Sequence, residues 1–389
     1  MKVLQIHNQY HFIGGEDIVV ENEKKLLKNN GHIVDQLFRS NKIEIKSKFD
    51  QLKVLKNLKY SIKSKNILKK KIDQFKPDIA HVHNTFPLWT YSIFDVLNKQ
   101  KIPTVVTLHN YRLIWDKIIF KNDFYKYAGF KKSKIKTYII SKYINSKKKC
   151  LENIKFYIVL SKFSKKQFSE NGLKKKYLKI KKNFLKQKKI NNKKIEKKNI
   201  AIYASRIEEE KGILTLLNSW KNIKLDLKIY GDGPLYNELK QNNKNKKIFF
   251  QGHQNFNIID KNINNSKFLI FPSKLYENMP ITILQAFREK TLVLASDLGS
   301  MKEMIKDGYN GILFKHNCHK SLRSKINWIL SNPKLCNKIT NNAYKLFIKN
   351  YSDKLNYKIL LEIYNKAIKE NSFPNFKVKS KKIVNQNLK

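Results

Sequence analysis

"NIAIYASRIEEEKGILTLLNSWKNIKLDLKIYG", residues 199–231, decides the fold. Its opening "NIAIYA" (199–204) is a short apolar run of strand length, and "LDLKIYG" (225–231) is a second. A helix entry follows the first run, at "SRIEEEKG". Strand, helix and strand in about thirty residues is the β-α-β unit from which parallel sheets are built. Downstream the rhythm continues with "KIFFQG" (247–252), "KFLIFP" (267–272) and "TLVLAS" (291–296). Upstream, a similar set of strands lies at "KVLQI" (2–6), "HIVDQLF" (32–38), "DIAHVH" (78–83), "PTVVTLH" (103–109) and "KFYIVL" (155–160).

Between the two sets, from about residue 175 to 200, the chain turns Lys- and Asn-rich, which reads as a last strand and then a linker. The fold class is therefore α/β, with two facing, doubly wound Rossmann-like domains at 1–188 and 199–350. A further helix, about 353–371, carries Leu355, Ile359, Leu360, Ile363 and Tyr364 at helical spacing, and 372–389 reads as a flexible tail. In open parallel sheets a ligand sits at the carboxyl ends of the strands, so a cleft between the domains is the expected site.

Composition narrows the classes. With 389 residues and 41% hydrophobic content, the chain has material for two cores. No apolar run approaches the roughly 18–20 residues that cross a bilayer, and the N-terminus reads as a first strand rather than a secretion signal. Three scattered cysteines, Cys150, Cys318 and Cys336, suggest a reduced, cytoplasmic setting. "KHNCHK" holds His316, Cys318 and His319 but lacks the ligand set of a zinc site, so a polar surface loop is the reading and no metal is expected. The net charge of +51 invites nucleic acid, yet only five of the 81 basic residues are arginine. Lysine cannot reproduce arginine's planar fork, so no nucleic-acid partner is assigned, and a peripheral contact with an anionic membrane is kept.

Chemistry clusters after the strands. Gly14 and Gly15 follow the first strand and precede a helix with an acidic first turn, where backbone can approach an anion. Arg206 and Lys211 stand at the end of the 199–204 strand, and two cations there suit a diphosphate, although a capped helix start with ordinary ion pairs would look alike. Glu277 precedes a helix beginning near Pro280, and Gln285 lies eight positions on, able to offer both a donor and an acceptor to a vicinal diol. His81 and His83 share one face of their strand, while His7 and His11 flank the first loop. In 114–136, Phe120, Phe124, Tyr125, Tyr127 and Phe130 are interspersed with lysines, as in a segment that rests on an anionic interface, covers an acceptor or packs inward as a helix.

Taken together, the Gly-Gly pair, the Arg and Lys five apart, "IYGDGP" (229–234) and the Glu-x7-Gln spacing resemble the family 4 (group 1) glycosyltransferases of the GT-B fold. The likeness runs from Met1 to about Tyr364. It implies a retaining, metal-independent and cofactor-free hexosyltransferase, with a UDP- or GDP-sugar donor and a glycan or lipid-linked acceptor. Cell-surface polysaccharide or lipopolysaccharide assembly is the implied setting, in the cytoplasm or at the inner membrane face. By resemblance Glu277 and His109 attend the donor sugar, while Arg206, Lys211, Gly15 and Gly14 meet the diphosphate. Asn278, Met279, Ile281 and Thr282 form the sugar and phosphate loop, in which Pro280 has no amide to give. Gln285 stands where a second glutamate would hold the ribose, a departure that leaves a weakened or inactive nucleotide-sugar-binding relative as the alternative. His83 and Asn84 are acceptor-side candidates, and the final helix is expected to cross back to the N-terminal domain.

Overall fold

The computed structural model describes residues 1–11, 14–114, 138, 141–142, 148–151, 154–188 and 197–370. The aromatic stretch from 115, most of the expected linker and the tail lie outside these residues. One six-stranded parallel sheet runs β2-β1-β3-β4-β5-β6, from β1 (Lys2–Gln9), β2 (Ile33–Ser40), β3 (Ile79–Asn84), β4 (Thr104–Thr107), β5 (Phe156–Val159) and β6 (Leu178–Ile180). A second runs β12-β11-β10-β7-β8-β9, from β7 (Lys198–Ala204), β8 (Asp226–Tyr230), β9 (Ile248–Gly252), β10 (Ser266–Phe271), β11 (Leu292–Ser296) and β12 (Ile312–Phe314). Every described pairing within these sheets is parallel. The α/β class with two doubly wound sheets is as expected.

Central strands are continuously apolar because helices cover both their faces. The first half carries α1 (Gly15–Asn29), α2 (Asn41–Glu44), α3 (Lys48–Asn57), α4 (Ile62–Phe75), α5 (Ser92–Lys99) and α6 (Lys162–Glu170). The second carries α7 (Ile213–Ser219), α8 (Tyr236–Gln241), α9 (Phe256–Asn265), α10 (Ile281–Arg288), α11 (Gly299–Met304), α12 (His319–Ser331) and α13 (Pro333–Tyr351). At Ser352 the chain leaves α13, and α14 (Asp353–Lys369) returns to the first sheet. There Leu360, Ile363, Tyr364 and Ala367 are buried with Val3, Leu27, Ile79, Val105 and Ile158. The expected crossing helix is present.

Strand order locates the site. Winding reverses between β1 and β3 in one sheet and between β7 and β10 in the other, and such switch points open a crevice at the strand ends. Around them the halves touch. Val19 of α1 packs with Met279 and Ile281, and Glu303 accepts from the backbone N–H groups of Lys162 (2.9 Å) and Phe163 (2.8 Å) at the start of α6.

Candidate functional site

Chain geometry puts the carboxyl end of β7 beside that of β10. The turn after β8 packs against the same end of β7. A Cβ on Gly231, whose φ is 138°, would lie 1.9 Å from the Ser205 carbonyl oxygen, so only glycine fits against the Arg206 loop. Gly212 (φ 76°) starts α7 with a similar approach to the Pro272 carbonyl. Two long-separated segments are thereby held as neighbours.

Lys211 Nζ then lies 2.6 Å from Glu277 Oε1, and Ser273 Oγ donates to the same oxygen at 2.7 Å. Burial alone would raise the Glu277 pKa. The Lys211 ammonium, its hydrogen bond and that of Ser273 outweigh burial and hold it below the usual glutamate value. Glu277 is thus an anion. Arg206 is mostly exposed at the mouth, with Nη2 2.9 Å from Glu208. Ser273 was not singled out in the sequence, since nothing marks a serine four residues before a glutamate as its partner.

Across the crevice, Gly15 opens α1 with its Cα side facing Ile281: an added Cβ would be 3.7 Å from that side chain. The Gly14 N–H is already engaged, donating to Asp17 Oδ2 at 2.7 Å, and Asp17 Oδ1 bonds His7 Nε2 at 2.9 Å. Asn278 and Met279 are buried and tie the halves. Asn278 Nδ2 donates to the Leu108 carbonyl (3.3 Å), and Asn183 Nδ2 donates to that of Met279 (2.9 Å). Pro280 caps α10, so Ile281 and Thr282 begin the helix beside the pair.

Gln285 lies in the second turn of α10. It is buried, and its Nε2 donates to Asp260 Oδ1 at 3.1 Å, in a cluster where Arg288 (2.5 Å) and Lys188 (2.6 Å) also reach Asp260. Arg288 and Lys188 both contact Glu289 as well. Two cations already face two carboxylates here, so a neutral amide leaves the charges of the cluster balanced.

The first half contributes histidines. His83 Nδ1 and His109 Nε2 are 3.1 Å apart. The Glu23 carboxylate lies 3.5 Å from His83 Nε2, favouring the proton on that nitrogen and leaving Nδ1 to accept from His109. His81 bonds the Tyr364 hydroxyl of α14 and Thr107, each at 2.7 Å. Burial first, then neighbouring positive charge, pushes His81 and His83 well below their ordinary pKa and His109 down to about 3. All three are neutral at pH 7. Glu23, His81 and His83 have metal-ligand spacing, but buried Lys181 already pairs with Glu23 and supplies the positive charge a cation would bring. His316 bonds Asp297 and Cys318 caps α12, so "KHNCHK" is a surface turn.

A pocket lined by His83, Asn84, Phe86, Tyr91, His109 and Arg112 lies beside this group. Asn84 Nδ2 donates to Glu16 Oε1 (3.1 Å), and burial raises the Glu16 pKa to about 7. Glu16 and Arg112 were not foreseen as site residues.

Known proteins resemble this chain over most of its length. The family model for Glycosyltransferase Family 4 matches residues 13–181, and that for Glycosyl transferases group 1 matches 185–346. An uncharacterized glycosyltransferase of Methanocaldococcus jannaschii is 28% identical over 364 residues, covering 90% of this chain and 94% of that one. Among solved structures, sucrose-phosphate synthase from Thermosynechococcus elongatus superposes with a TM-score of 0.71 at 16% identity, over 94% of this chain and 98% of that one. HepE of Anabaena, in complex with UDP and glucose, gives 0.66 at 14% identity, over 94% and 99%.

Proposed function

This chain belongs to the family 4, group 1 glycosyltransferases, and from that premise we propose that it is a retaining, metal-independent enzyme moving a hexose-type sugar from a UDP- or GDP-sugar to a glycan or lipid-linked acceptor. The observation that carries the proposal is the Lys211–Glu277 pair beside Arg206 at the β7/β10 switch point, with Gly15 against Ile281 at the start of α10. Arg206 as a fork and Lys211 as a point charge take the donor diphosphate, with the Gly15 amide and the start of α10 adding positive potential. Asn278, Met279, Ile281 and Thr282 shape the loop under the sugar. Glu277, ionised, faces the positive charge that develops at the anomeric carbon. His109, neutral and oriented by His83, contacts the sugar from the other half.

Transfer then breaks the anomeric bond to the diphosphate and forms a bond to the acceptor hydroxyl on the same face. A diphosphate oxygen takes the hydroxyl proton. Residues 1–188 with the returning helix serve the acceptor, whose hydroxyl enters by His83 and Asn84, and 199–350 serve the donor. The setting is assembly of cell-surface polysaccharide or lipopolysaccharide at the cytoplasmic face of a membrane. HepE's UDP supports the donor class.

A thermal-shift series with UDP, GDP and their sugar conjugates tests the donor site. Arg206→Ala is expected to weaken the stabilising nucleotide at least about tenfold, as for a lost charged hydrogen bond. Glu277→Ala is expected to lower turnover by about 10²-fold or more while the fold survives. Near-full turnover in Glu277→Ala would remove the site assignment.

A further inference from the structure

Helix α3 buries none of its residues fully. Phe49, Leu52 and Leu55, spaced i, i+3 and i+6, share one side of it and are all exposed to solvent, and Ile43 and Ile62 flank the helix equally bare. These five are between 53% and 69% exposed and fall within twenty residues, whereas all other described residues together expose seven large apolar side chains, at 36% to 59%. A helix that owes its place to core packing turns such a stripe inward. Here only Val54 of the apolar residues in α3 is half-buried.

Charge identifies what covers the stripe. Residues 41–65 carry eight lysines and two carboxylates. Both acids are engaged internally, Glu44 by Arg39 and Lys63, and Asp50 by the Ser47 cap. Lys42, Lys46, Lys48, Lys53, Lys56 and Lys63 are exposed around the apolar side chains. Apolar residues ringed by solvated lysines match the boundary between acyl chains and anionic headgroups, into which the stems sink while the ammonium groups stay wet.

We propose that the outer face of α3, with Ile43 and Ile62, docks on an anionic lipid bilayer. The proposal deepens the membrane setting of the function above and rests on that reading for the acceptor it would bring within reach. Leu58, directly after α3, is buried in the wall of the pocket that His83 and His109 line. Arg39 clamps the same region to the site, donating to Ser64 Oγ (2.6 Å) and to the Leu88 carbonyl (2.7 Å). A bilayer under α3 therefore lies next to the acceptor pocket, where a lipid-linked acceptor would leave its tail in the membrane.

The test is co-sedimentation of the full chain with phosphatidylcholine vesicles, with and without phosphatidylglycerol, for wild type and for Phe49→Ser/Leu52→Ser/Leu55→Ser. Wild type is expected to pellet with the phosphatidylglycerol vesicles, and the variant to lose about tenfold or more in vesicle affinity. The variant's melting temperature and UDP or GDP shift are expected to equal wild type, so failure of the donor reading is scored separately. In Phe49→Trp, the indole emission is expected to move to shorter wavelength with anionic vesicles. A triple variant that binds like wild type, through charge alone, overturns the proposal. So does a wild type indifferent to both vesicles, which leaves the face to an acidic protein.

Discussion

Gln285 illustrates how a single side chain is governed by charge that the sequence hides. Its amide donates to Asp260 inside a cluster of two carboxylates and two cations. A glutamate would add an uncompensated negative charge next to Asp260 in a buried site. Gln285→Glu is therefore expected to destabilise the fold by about 1–3 kcal/mol rather than improve donor binding, read as a lower denaturation midpoint with unchanged slope. In the sequence the amide stands only as a departure from a family pattern, because Asp260 is 25 positions away and nothing local links the two. Lys211 teaches the same lesson. Its position suggests a phosphate ligand, but its pairing with Glu277, 66 residues on, exists only in the folded chain.

At the scale of elements, the strands were the legible part. β3, β4, β5, β7, β10 and β11 are buried runs whose cores match the quoted segments, with ends displaced by a residue or two. Helices that join halves were less so. Glu23 of α1 reads as one more surface acid, yet it is buried against Lys181 and close to His81 and His83. Turns are where one atom decides. Gly231→Ala is expected to cost more than about 4 kcal/mol or to prevent soluble expression, since the Cβ overlaps the Ser205 carbonyl. Gly14→Ala is the control: its φ is −117° and the nearest atom to an added Cβ is 3.7 Å away, so stability within about 0.5 kcal/mol of wild type is expected. Comparing the two melting curves checks both.

Whole-molecule behaviour follows from the three neutral histidines, His81, His83 and His109. Their folded pKa values are depressed, so the stability they contribute is complete above the unfolded value near 6.5 and drains away as pH falls. Glu16 acts in the opposite sense: its folded pKa is raised to about 7, so its contribution is present below the ordinary value of 4.5 and is lost as pH rises through about 7. Three groups outweigh one. Denaturation midpoints are expected to decline from pH 6.5 downward, and Glu16→Gln, lacking the opposing contribution, to decline more steeply. A flat profile from pH 7 to 5 would contradict the neutral histidines. Finally, the return of α14 to the first sheet sets the timing of synthesis. The ribosome finishes every strand of that sheet long before it makes Leu360, Ile363, Tyr364 and Ala367, which close its second face. Until then Val3, Leu27, Ile79, Val105 and Ile158 lack their cover, so the half made first is completed last, and a chain cut at Ser352 is born with an open, aggregation-prone flank.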